Sequence, residues 1–130
     1  MTEFNYVAVL VAAVAAFVVS GAWYAAFGSH LARLHDAYAD AGRPPPSVAA
    51  AEVVRSAVVA AVLAGLLAWT GIESWGGAVA LGLVAWVGFP VVILSGSVLH
   101  EKVPWRLAAI HAGDWLVKLL VITTIVGIWR

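Results

Sequence analysis

At 130 residues, with 64% hydrophobic and only 11% charged side chains, the chain departs far from soluble domains, which average about 45–50% apolar and about 25% charged. A water-soluble globule this short cannot hide so much apolar surface, so lipid is its natural solvent. A net charge of +0 excludes the basic field that nucleic acid requires, and 0 cysteines exclude disulfides and thiol chemistry.

The length fits one domain, residues 1–130. Four apolar stretches, 5–27, 53–72, 75–99 and 105–129, are each close to the roughly 20 residues a membrane-spanning helix needs. The first is predicted to be a span and not a cleaved signal. Only Glu3 is charged before it, and it is longer than a signal's apolar core. It carries Ala8, Ala12, Ala16 and Ser20 at intervals of four. Such stripes of small residues let membrane helices approach closely.

Residues 28–47 form the longest polar segment. Leu31, Leu34 and Tyr38 recur at helical spacing, with Arg33, Asp36 and Asp40 on other faces. This predicts a short amphipathic helix on the cytoplasmic surface, or an extension of the first span. Gly42 is a natural helix stop, and the three prolines after it forbid continuation. His30 and His35, five apart, are poorly placed to share a metal on a helix.

The second span, beginning near Val53, repeats the small-residue pattern at Ala60, Ala64 and Ala68, with Ala57, Ala61 and Gly65 alongside. Tight packing of the first two spans is expected, with a second copy of the chain as the alternative user of these stripes. The third span holds Trp86, Gly88 and Pro90. Pro90 cannot donate a hydrogen to the Trp86 carbonyl, so a kink is predicted there. The connections "TGIES" and "HEKVP" are short and require antiparallel neighbours.

The fourth span contains His111, Asp114 and Lys118, which share one helical face. Asp114 and Lys118 stand in the favourable i, i+4 order for an ion pair. Each charge at a helix centre costs about 2.5–3.5 kcal/mol, and each apolar residue returns only about 0.3–0.6. The polar face is therefore expected to point into the bundle. Counting from the turn between Leu99 and Trp105 places Trp86 and Lys118 at similar depth. Lys118 is accordingly expected to bridge Asp114 and the Trp86 carbonyl. Two roles remain open for the cluster: a structural pair that fixes which helices meet, or a proton or ion relay in which His111 ionises near neutral pH.

The positive-inside rule assigns Arg33, Arg43, Arg55, Lys102 and Arg106 to the cytoplasmic side and both termini to the outside. Trp23, Tyr24, Trp69, Trp75, Trp105 and Trp129 fall near span ends, where aromatic belts lie. Gly21 would allow close approach at the end of the first span. Trp23 and Tyr24 read as headgroup anchors, with the lip of a binding site as the alternative.

The stretch "NYVAVLVAAVAAFVVSGAWYAAFG" resembles the opening of the bacterial membrane proteins of domain-of-unknown-function family 1761. The matching residues are Asn5, Tyr6, Gly21, Trp23, Tyr24, Phe27 and Gly28. The closing "IHAGDWLVKLLVITTIVGIW" is similar to that family's last helix, through Gly127 and Trp129. The segment "FGSHLARL" departs from the family pattern, which would place a Lys and a Trp there. The resemblance implies a four-helix membrane protein and brings no activity or catalytic residue.

The expected architecture is an all-α, polytopic membrane four-helix bundle with a short interfacial helix between its first two spans. No phosphate loop, nucleophile elbow or zinc-protease motif occurs. His111 and Asp114 alone are too few ligands for a catalytic zinc. The reading is a non-enzymatic protein of the bacterial inner membrane, without metal or cofactor. Its expected partners are the lipid bilayer and copies of itself or another membrane subunit, with no nucleic acid. The alternative is an oligomeric proton- or ion-coupled channel or transporter.

Overall fold

The computed structural model describes residues 5–34 and 45–129. Helix α1 spans Tyr6–Ala26, α2 Gly28–Leu34, α3 Pro46–Thr70, α4 Trp75–Trp86, α5 Val92–His100 and α6 Trp105–Ile128. A π turn, Val87–Val91, joins α4 to α5. Together α4, the π turn and α5 form one 26-residue apolar rod, giving four helices long and apolar enough to cross a membrane. The expected all-α, four-span architecture is the one observed.

Each end has a local cause. Asn5 caps α1 by accepting a hydrogen bond from the Ala8 N–H at 3.1 Å. Gly71 ends α3 in the left-handed conformation, φ 72°, which glycine adopts without steric cost. Ser74 then caps α4 through the Gly77 N–H at 3.0 Å. Helix α3 begins at Pro46, seven residues before the Val53 start expected from hydropathy. Proline forbids a helix on its N-terminal side, yet its fixed φ suits the first helical position. Pro46 therefore starts α3, ahead of the apolar stretch that marks the span in the sequence.

The predicted disturbance at Pro90 is the π turn. Pairing of residue i with i+5 carries the ladder past a ring nitrogen that has no hydrogen. Gly88 is exposed there, and a Cβ added to it would meet nothing.

Helix α6 is the hub. It packs against α1, α3, α4, α5 and α2, while α1 also packs on α3. Partner pairs give the directions. Asn5 lies near Trp129 and Trp23 near Ile110, so α1 runs antiparallel to α6. Trp75 reaches Thr124 and Trp86 reaches Ala112, so α4 does too. The small-residue expectation holds for α1 and α3: Ala12, Ala16 and Ala60 are buried in one core with Val9, Leu63, Leu67, Leu119, Ile122 and Val126.

Of the predicted interfacial segment, residues 35–44 lie outside the described residues, including His35, Tyr38 and Gly42. Residues 28–34 are α2, whose Leu31 is buried against Leu107 and Ile110 of α6, while residues 46 and 47 already belong to α3.

Candidate functional site: the polar face of α6

The α6 polar face divides between two neighbours. Its first part meets the end of α1. The Trp23 indole N–H donates to the Ile110 carbonyl at 2.9 Å, and the Tyr24 hydroxyl bonds the His111 Nδ1 at 2.6 Å. Gly113 makes this seam possible. A Cβ there would lie 2.4 Å from Trp23 Cζ2, which no real Cβ contact tolerates. Phe27 packs on Trp23 with the rings tilted by 46° and their centres 4.9 Å apart, and closes the cluster over Leu31, Leu107 and Ile110.

This adds a second role to the headgroup-anchor reading of Trp23 and Tyr24. Both are partly buried fasteners between α1 and α6, because their polar tips find partners on the neighbouring helix. It also corrects Gly21, which is exposed and would accept a Cβ without contact. The close approach happens at Gly113 on the opposite helix. The remaining belt positions Trp69, Trp75, Trp105 and Trp129 are exposed as expected, Trp69 to 87%.

The second part is the ion pair. Lys118 Nζ lies 2.9 Å from Asp114 Oδ2 and 4.4 Å from the centre of the Trp115 ring, which adds a cation–π contact. Asp114 is 2% and Lys118 8% exposed, so the pair is turned away from lipid, as insertion costs require. Asp114 Oδ1 is buried and has no hydrogen-bond partner among the described residues. Such an orphan acceptor costs roughly 1–3 kcal/mol.

The expected bond from Lys118 to the Trp86 carbonyl is not formed among the described residues. Trp86 instead donates its indole N–H to the Ala112 carbonyl at 2.7 Å, tying the kinked rod to α6. The depth count holds to about a turn, since Gly82 lies against Leu119 and Thr123. Direction around α6 defeats it: Thr123 faces α4, whereas Lys118 faces α3.

There Lys118 lines a cleft with Trp115 and Ile122 of α6 and with Glu52, Arg55, Ser56 and Val59 of α3. Its volume is about 10 Å³, room for roughly one water molecule. Glu52 and Arg55 form an exposed ion pair at its mouth, and Ser56 is buried inside. Only residues 71–74 join α3 to α4, so α3 runs antiparallel to α4 and hence in the same direction as α6.

Sequence reasoning missed the α4–α6 seam. A Cβ on Gly82 would lie 2.9 Å from Thr123 Cγ2, and one on Gly127 would lie 2.7 Å from the Ala78 Cβ. Thr123 satisfies its hydroxyl on the Leu119 carbonyl at 2.7 Å. The signal was present as two i, i+4 pairs, Ala78 with Gly82 and Thr123 with Gly127. Among the described residues, no group of three or more His, Asp or Glu side chains could hold a metal ion.

A hub helix with a buried ion pair, fastened to three surrounding apolar helices, defines a multi-pass helical membrane protein. Residues 7–127 match the protein family of unknown function DUF1761, and the chain belongs to that family. No curated protein and no solved structure matches.

Proposed function

We propose that the chain is a non-enzymatic membrane subunit, structural or accessory, that assembles with copies of itself in the bacterial inner membrane with both termini outside. The observation that carries this reading is the pairing on α6. His111 is engaged by Tyr24, Lys118 by Asp114 and Thr123 by its own backbone, and the cleft beside Lys118 admits only a water-sized occupant. Such an interior serves helix recognition better than substrate passage. The rod from Trp75 to His100 supplies a long outer face: Val84, Val87, Phe89, Val92, Ile93 and Leu99 are all exposed. Neighbouring subunits in the bilayer would meet that face.

A second reading, an oligomeric proton- or ion-coupled channel or transporter, is favoured by one observation, the unpartnered Asp114 Oδ1. Buried ionisable groups in membranes often serve transport. Native mass in mild detergent, together with proton and cation flux in proteoliposomes, decides between the readings. The subunit reading expects a defined oligomer, with background flux for both the wild type and Asp114→Asn. Wild-type flux abolished by Asp114→Asn overturns it in favour of the channel.

A further inference from the structure

We infer that the cleft between α3 and α6 is a water-binding site that connects the buried Asp114–Lys118 pair to the aqueous phase on the α2 side. The inference rests on the four-span membrane reading and is independent of the choice between subunit and channel.

The first argument is depth. Trp69 is exposed near the far end of α3. Arg55 is 14 residues back along that helix, about 21 Å, and Glu52 about 25 Å. In a hydrocarbon layer of about 30 Å, this pair lies just below the α2-side headgroups. Lys118 is 11 residues before Trp129, about 16 Å from the far boundary and so near the middle. The cleft residues thus descend from the interface to mid-membrane.

The second argument is chemical. The mouth carries the Glu52–Arg55 ion pair on an outward face. Long side chains at this depth reach toward headgroups and draw water with them. Ser56 and Lys118, both more than nine-tenths buried, form the inner wall. An ammonium carries three N–H donors, and a hydroxyl both donates and accepts. One N–H of Lys118 serves Asp114, which leaves donors for a water that Ser56 also holds.

The third argument is size. About 10 Å³ is roughly the room that one water needs. The charges also balance, Glu52 against Arg55 and Asp114 against Lys118. No net field selects an anion or a cation, so the occupant is neutral and small.

The chain has 0 cysteines, which makes single-cysteine probing clean. Ser56→Cys and Val58→Cys are placed in proteoliposomes and exposed to silver ion, a thiol reagent close to water in size. Remaining thiols are counted with a maleimide after denaturation. Val58 is 58% exposed on the lipid side of α3, two residues from Ser56. Ser56→Cys should react at least roughly tenfold faster than Val58→Cys, since only a wetted thiol beside an ammonium ionises. Equal, slow reaction at both positions overturns the inference by showing a dry cleft. Equal, fast reaction at both overturns the membrane placement it rests on. A second measurement needs no cleft substitution. Lys102 and Lys118 are the two lysines, so nitrogen-15 lysine labelling, assigned with Lys102→Arg, isolates the Lys118 ammonium in nanodiscs. Rapid exchange with water supports the site, and protection over hours refutes it.

Discussion

Gly113→Ala tests the α1–α6 seam with a single methyl group. The new Cβ would sit 2.4 Å from Trp23 Cζ2 and 2.9 Å from Cη2, so the indole must move by about 1 Å to regain ordinary contact. It is not free to do so, because its N–H is bonded to the Ile110 carbonyl on the same turn of α6. Overpacking of this kind costs about 1–3 kcal/mol. Loss of the indole bond adds about 0.5–1.5 kcal/mol. Replacing a helical glycine by alanine returns about 1 kcal/mol. The net expectation is destabilisation by about 1–3 kcal/mol. Gly21→Ala is the matched control, where the added Cβ meets nothing and only the helix gain of up to about 1 kcal/mol remains. Reversible SDS unfolding in mixed micelles, followed by tryptophan fluorescence, measures both. Gly113→Ala should unfold at lower SDS than wild type and Gly21→Ala at equal or higher SDS. Pairing Gly113→Ala with Trp23→Leu should recover most of the loss, giving a coupling energy outside simple additivity. If Gly113→Ala proves as stable as wild type, the Trp23–Gly113 packing and the role given to it are wrong.

Removing one partner of the buried pair should cost far more than removing both. Lys118→Leu or Asp114→Leu alone leaves an unpaired buried charge, about 3–5 kcal/mol, whereas the double leucine variant should be near wild type or more stable. The same SDS titration checks this order, and a double variant no better than the singles would refute it. Tyr24→Phe should lose about 0.5–1.5 kcal/mol through the bond to His111, measured in the same way. Gly82→Leu should break the α4–α6 seam by driving a side chain into Thr123 and the Leu119 backbone. Cysteine pairs placed across Trp75 and Thr124 should then crosslink less efficiently than in wild type.

The spans were legible in the sequence because bilayer thickness fixes a length and hydropathy reports it. The Asp114–Lys118 pair was legible because its partners lie one turn apart on the same helix. Contacts between distant segments were not. Trp23 meets Ile110 and Tyr24 meets His111 across 87 residues, and nothing local separates an indole that caps a neighbouring carbonyl from one that sits among headgroups. The start of α3 was misplaced because hydropathy weighs apolar content, while Pro46 acts through backbone geometry. The Trp86 carbonyl expectation failed because counting residues along antiparallel rods gives height but not azimuth.

The central position of α6 has a consequence for biosynthesis. The ribosome makes α6 after α1 through α5, yet α6 is the partner on which the rod from Trp75 to His100 packs. Until α6 emerges, that rod, the most apolar of the four spans, can lie in lipid without its partner, while α1 and α3 can already join. The insertion-averse helix, the one carrying Asp114 and Lys118, therefore enters last, when the helices that shield its ion pair are already in place.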